Sequence, residues 1–394
     1  MLATLIADDL TGACDAGAPF AACGSVAVFV APASPSAEWN VAAVDTESRD
    51  LSPADAADAV RMTVARLGAR AAAGLLFKKI DSTLRGPIGA ELEALLGATG
   101  RRTVLLCSAF PAQGRTVVRG TLLVSGQPAH ESPIARDPAY PGPTSDVVAI
   151  VRRGARRPVS FLPLERVRGD GEALARTLCG AREHIIVADA LTDGDLAALA
   201  GATRGCPDLV LAGSAGLARA VAEACGQAGR PVPLPRGRAW LIVAGSAHPA
   251  TRAQLRRLEA AGVMGARLDG ARDPDIRPLV EQMKGGRPVF IATSDAVALG
   301  SSAREAARSR LAGLAARIVA GSRPDLVVVA GGETAVALLR AVGAARIELS
   351  GAPSTGLALG DAVIDATSRL PLLTKAGGFG PPDLFLGLLE ETAP

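Results

Sequence analysis

The sequence predicts an α/β protein of two domains, each built on a mostly parallel sheet with flanking helices and sharing an active site in the interdomain cleft. Three observations predict this. Short runs of Val, Ile, Leu and Ala recur at 2–7, 26–30, 41–44, 75–80, 103–106, 239–244, 288–292 and 325–330, separated by segments of helical length and composition. That is the pattern of strands buried on both faces and joined by crossover helices. A chain of 394 residues exceeds what one core usually serves. Between the halves, residues 226–238 (GQAGRPVPLPRGR) have the composition of a linker. The expected division is 1–225, linker 226–238, and 239–394.

The first strand, 2–7, runs into Asp8-Asp9-Leu10-Thr11-Gly12, where Thr11 is suited to cap the next helix. Two carboxylates at the end of a first α/β strand face a crevice, or else favour a helix start through its dipole. The strand at 41–44 leads to Asp45-Thr46-Glu47-Ser48-Arg49, and Ser52-Pro53 announces a helix to about Gly68. The strand at 75–80 ends in Lys78-Lys79-Ile80-Asp81-Ser82-Thr83-Leu84-Arg85-Gly86. Alternation places Lys78 and Lys79 on opposite faces, where each ammonium needs a carboxylate or water. Arg85 offers a planar fork suited to a substrate carboxylate. Gln113 and Arg115 are the polar residues of the loop after 103–106. The long segment 130–146 is punctuated by prolines and contains His130 and Arg136; such loops often line sites.

Residues 212–218 (AGSAGLA) form a strand, turn and helix, either an anion cradle or a close helix–sheet crossing. The second half repeats glycine turns at strand ends: Gly245-Ser246, Gly331-Gly332-Glu333-Thr334, a loop near Gly351, and Gly377-Gly378-Phe379-Gly380. Successive glycines let the backbone come close, and unsatisfied amides at a helix start favour an anion. Several such turns at neighbouring strand ends can surround a polyphosphate.

Composition removes other classes. A formal charge of +3 and 3% aromatic residues predict no nucleic-acid partner. No apolar run is long enough for a membrane span, and the acidic pair at 8–9 is too early for a secretory signal, so the expected location is cytoplasmic. The six cysteines lack CxxC spacing and most read as buried thiols, and three histidines make a zinc site unexpected. GxxxxGK[ST], the protein-kinase signatures and a GxGxxG after the first strand are absent. Cations and acids in one domain and an amide-rich anion site in the other suit phosphoryl transfer from a nucleotide to an alcohol. The alternative from another class is a two-lobed, non-catalytic small-acid binding protein.

The motifs IADDLTGACD (6–15), KKIDSTLRGPIGAEL (78–92), PAQGR (111–115), AGSAGLA (212–218), AGSAHPATRAQL (244–255), GGETA (331–335) and LTKAGGFGPPDLF (373–385) resemble, in order, those of the four-carbon acid sugar kinase family. The resemblance spans nearly the whole chain. It implies an N-terminal acid-sugar domain, a C-terminal ATP domain, and phosphorylation of the terminal (4-) hydroxyl of threonate or erythronate, or alternatively of a 3-oxo-tetronate. The segment ESPIARDPAYPGPTSDV is closer to the threonate and erythronate versions.

Carried over by motif, Asp8, Asp9, Lys79, Asp81 and Arg85 belong to the acid-sugar end, with Asp9 or Asp81 as the catalytic carboxylate. Ser246, Gly331, Gly332, Glu333, Thr334 and Gly377 belong to the nucleotide end. The expected cofactors are ATP and Mg²⁺, the Mg²⁺ ligands being left open, and a homodimer matches the commonest oligomeric state. The chain departs from the commoner SGNFG and GSCSP patterns at Ala376, Gly378, Ala247 and His248.

Overall fold

A computed structural model of the chain describes residues 3–32, 38–137, 140–181, 184–226, 231–246, 248–269, 272–294 and 301–391. Leu2, Ala247 and positions 227–230 of the expected linker lie outside the described residues. The chain divides into two compact units, Met1–Arg230 and Pro231–Pro394. The later part of the expected linker packs with the second unit: the Val232 amide donates to the Ala352 carbonyl at 3.1 Å, and Leu234 lies against that unit's core.

The first unit contains β1 (Ala3–Ala7), β2 (Val26–Val30), β3 (Val41–Asp45), β4 (Leu75–Lys79), β5 (Thr103–Cys107), β6 (Arg115–Val118), β7 (Thr121–Val124), β8 (Gln127–Pro128), β9 (Val159–Leu162), β10 (Ile185–Ala188) and β11 (Leu209–Gly213). Its main sheet runs β2-β3-β1-β4-β11-β5-β10-β9, and every neighbouring pair is parallel. β1, β3, β5 and β11 are buried along their whole length, as their unbroken apolar runs require. The helix Pro53–Leu67 starts at a Ser52 cap and stops before Gly68, whose φ of +53° suits glycine.

Where the sequence suggests at most one short strand near 119–124, β6, β7 and β8 form a small antiparallel sheet. The β6–β7 turn holds both Arg119 and Gly120 at positive φ, as a two-residue hairpin of this hand needs. Buried Asp189 fixes it by accepting from both amides at 2.8 and 2.9 Å.

Cys179 and Cys206, expected as thiols, are joined by a disulfide. The helix Gly171–Gly180 packs beside Asp193–Ala202, which brings together Cα atoms 5.1 Å apart from positions 27 residues distant; no spacing motif reports such a meeting. Cys14 and Cys107 are buried thiols, whereas Cys225 is exposed.

The second unit contains β12 (Trp240–Ala244), β13 (Met264–Leu268), β14 (Val289–Thr293), β15 (Leu326–Ala330), β16 (Arg346–Gly351), β17 (Leu357–Val363) and β18 (Arg369–Lys375). Its order is β13-β14-β12-β15-β18-β17-β16, parallel through β18 and antiparallel beyond. Trp240, Ile242, Leu258, Phe290, Val328, Leu373 and Phe385 share its core. Among the described residues, no helix is long and apolar enough to cross a membrane.

Candidate active site

In the first unit, register brings five strand ends to one level. Ala7 pairs with Asp45 on one side and Lys79 on the other, while Gly213 pairs with Lys79 and Cys107. The residues beyond them, 8–9, 46–49, 80–85, 108–115 and 214, therefore leave the sheet along one edge. The chain builds β2 and β3 on one side of β1 and β4 on the other. Such a switch point opens the crevice in which α/β sheets take ligands.

Asp9, rather than Thr11, caps the helix Leu10–Gly17. Its Oδ1 accepts from the Gly12 amide at 3.0 Å, and the Thr11 hydroxyl donates to its Oδ2 at 2.7 Å. A Cβ on Gly12 would stand 2.5 Å from Asp9 Oδ1 and 2.9 Å from Lys79 Nζ, so this glycine lets the carboxylate and ammonium approach across the helix start. Arg49 donates to both oxygens of buried Asp8, at 2.8 and 3.0 Å, and to Asp9 Oδ1 at 2.6 Å. Burial raises the Asp9 pKa, but the charges of Arg49 and Lys79 outweigh it and leave the carboxyl below its ordinary value.

The two lysines part across β4. Fully buried Lys78 places Nζ 3.0 Å from Glu91 Oε1, which also accepts from the Ser48 hydroxyl at 2.5 Å. That side is a closed structural network. Lys79 Nζ donates to the Ile80 carbonyl at 2.9 Å and has no carboxylate at ion-pair distance among the described residues.

Asp81 accepts from Arg85 Nε at 2.7 Å and Nη2 at 3.2 Å, and from the Thr83 hydroxyl. Against burial, Arg85 and Arg49 hold it well below the usual carboxylate range. Arg85 is thus committed to Asp81, and its Nη1 also donates to Asp137 at 2.9 Å. From the long loop it is Asp137 that joins the cluster: His130 Nδ1 instead pairs with Ser145 Oγ at 2.7 Å, and Arg136 is exposed.

Arg115 Nη1 donates to Gln113 Oε1, while its Nε is buried without a partner. Burial lowers its pKa, with Asp81 and Arg85 also acting on it. The structure therefore gathers Asp8, Asp9, Lys79, Asp81, Arg85, Gln113 and Arg115 at one sheet edge. The 212–218 turn serves packing: Ser214 Oγ donates to the Ala109 carbonyl at 2.5 Å, and a Cβ on Gly216 would lie 2.9 Å from that oxygen.

Sequence reasoning passed over Arg49 and Asp45. Asp45 is fully buried, with Oδ1 accepting from the Glu47 amide at 2.8 Å and Oδ2 unpartnered. Burial, reinforced by Asp9 and Asp8, holds it well above the usual carboxylate range. The acid–base mixture of 45–49 was the available signal; only the β1–β3 register shows that it meets Asp8 and Asp9.

In the second unit, Ala244 pairs with Ala330 and Ala292, and Ala330 pairs with Lys375. The glycine turns consequently emerge together. A Cβ on Gly245 would lie 2.4 Å from Thr334 Oγ1, one on Gly331 3.5 Å from Ser246 Cβ, and one on Gly377 2.4 Å from Ser246 Oγ. Gly331, at φ +102°, opens the helix Gly332–Val342. The amides of Gly245, Ser246, Gly332, Gly377 and Gly378 donate to no acceptor among the described residues. Glu333 is exposed and forms an ion pair with Arg308 at 2.8 Å. Thr334 is buried beneath Gly245. The predicted nucleotide residues thus converge, and they present backbone donors rather than a charged cluster.

Comparison with known proteins matches residues 3–221 to a sugar-binding N-terminal domain and residues 241–385 to a nucleotide-binding C-terminal domain. A D-threonate kinase of Cupriavidus necator is 36% identical, over 95% of this chain and 94% of its own. A 3-oxo-tetronate kinase of Methylobacterium radiotolerans is 33% identical, over 98% of each. Among solved structures, a Bordetella bronchiseptica domain of unknown function, described as a domain-swapped dimer with bound citrate, matches with a TM-score of 0.51 at 30% identity, over 100% of this chain and 98% of that one. With relatives at this identity aligned end to end, the chain belongs to the four-carbon acid sugar kinase family.

Proposed function

We propose that the protein transfers the γ-phosphoryl group of ATP to the terminal hydroxyl of a four-carbon sugar acid, D-threonate or D-erythronate. The observation that carries this reading is the division of labour within one chain. One sheet edge gathers carboxylates and cations, and the other gathers undonated amides on glycine turns. Lys79 and Arg115 grip the substrate carboxylate, since neither ammonium nor guanidinium is neutralised by an ion pair among the described residues. Arg85, held by Asp81 and Asp137, shapes the wall beside them and adds its positive field.

Asp9 orients the attacking hydroxyl and receives its proton as the new oxygen–phosphorus bond forms and the bond to the ADP leaving oxygen breaks. Both oxygens of Asp81 are taken by the Arg85 fork, with the Thr83 hydroxyl on one of them, so Asp81 acts through Arg85, whereas Asp9 Oδ2 accepts from the Thr11 hydroxyl alone among the described residues. Ser246, Gly331, Gly332, Thr334 and Gly377 line the triphosphate. Mg²⁺ would enter on the phosphate oxygens of the nucleotide with its own waters, the amides not being metal ligands and Glu333 being the acid beside them, and it would offset charge on the phosphates. A homodimer belongs to the same reading.

Coupled ADP release tests it. With ATP and Mg²⁺, purified protein should turn over D-threonate or D-erythronate faster than a 3-oxo-tetronate, and silence on all three would remove the reading.

A further inference from the structure

Lys375 ends β18 with no exposed surface and no carboxylate at ion-pair distance among the described residues. Its Nζ donates to the carbonyls of Ala376 and Phe379 at 2.9 Å each and of Gly377 at 3.3 Å, and lies 3.3 Å from Thr251 Oγ1. The same loop is braced from the helix Pro249–Ala260. Thr251 donates to the Gly377 carbonyl at 2.6 Å, and Gln254 Nε2 to the carbonyls of Phe379, Gly380 and Pro381 at 2.9, 3.2 and 3.0 Å.

In a trans peptide the N–H points opposite to the C=O of the same plane. Drawing the carbonyls of 376, 377 and 379 inward therefore turns the amides of Gly377, Gly378 and Gly380 outward, and none of these three donates to an acceptor among the described residues. We infer that Lys375 is a positioning residue of the nucleotide half-site, its ammonium holding the Gly377 and Gly378 amides toward the triphosphate. This deepens the ATP-binding reading above and rests on it.

Only the ammonium has an N–H for each of the three carbonyls. A neutral amine keeps two N–H groups and would turn its lone pair toward a carbonyl oxygen. Thr251 and Gln254 face Lys375 from one helix and Phe385 from the helix Leu384–Glu391, while Ala330 and Leu357 flank it on β15 and β17. Burial alone pulls its pKa down to about 7. Across the turn, the titratable side chain is His248, whose Nε2 would lie 2.9 Å from a Cβ on Gly378.

The test is calorimetric affinity for the ATP–magnesium complex between pH 6 and 9, with initial rates in parallel. Wild-type protein should lose about tenfold in affinity (about 1.4 kcal/mol) as pH rises through that range. His248→Gln should keep that dependence. Lys375→Met should bind about tenfold more weakly at pH 6, show a flat profile, and keep the sugar-acid KM within twofold. A wild-type profile that is flat, or one flattened by His248→Gln, overturns the inference even where Lys375→Met fails to fold. So does a Lys375→Met protein that binds like wild type. Wild-type protein that binds no ATP at any pH would instead remove the parent reading.

Discussion

Asp45 and Arg115 carry the sharpest consequences at the residue scale, because each has a buried polar atom without a partner. Asp45 has a raised folded pKa. The stability it contributes is therefore fully present below its unfolded pKa, about 4, and is lost as pH rises through the folded value. Asp45→Asn keeps the oxygen that accepts from the Glu47 amide and cannot ionise. Urea denaturation should find it more stable than wild type at pH 8, with the difference vanishing near pH 4. Arg115→Met removes a charge-assisted contact of about 1.5–3 kcal/mol, so the sugar-acid KM should rise about 10- to 100-fold with the ATP KM within twofold. Equal rises in both constants would argue against its place at the acid end.

Elements explain why glycine recurs in the second unit. Gly331 is favoured by its backbone angle, whereas a Cβ at Gly377 would meet the Ser246 side chain and one at Gly378 the His248 ring. The His248 ring occupies the space that a side chain at 378 would enter. His248 also caps its own helix, Nδ1 accepting from the Ala250 amide at 3.2 Å. Gly377→Ala would bring a Cβ to 2.4 Å from Ser246 Oγ and displace one of the two turns. Steady-state kinetics should show the ATP KM raised about tenfold or more and the sugar-acid KM nearly unchanged, since phosphate donors lose their aim while the other unit is untouched.

For the whole molecule, two compact units that match a sugar-binding and a nucleotide-binding domain make a thermodynamic prediction. A ligand that binds only the folded state stabilises it by about 2.7 kcal/mol at a hundredfold excess over Kd. ATP with Mg²⁺, and separately D-threonate or D-erythronate, should each raise the melting temperature measured by calorimetry. If only one class shifts it, one half of the functional reading is lost.

The sequence by itself determined the α/β class, the two sheets, and most strand ends, because fully buried parallel strands leave unbroken apolar runs with glycine or acid just beyond them. It also nominated residues to meet an acid and a phosphate. Only the tertiary structure decided the partners: Lys78 to Glu91 but Lys79 to the Ile80 carbonyl, Arg85 to two acids, Arg49 across Asp8 and Asp9, and Cys179 to Cys206. The reason is that alternation and turn chemistry are local, whereas register between parallel strands and the packing of helices join positions tens of residues apart, and a buried charge takes its character from whichever group that register delivers.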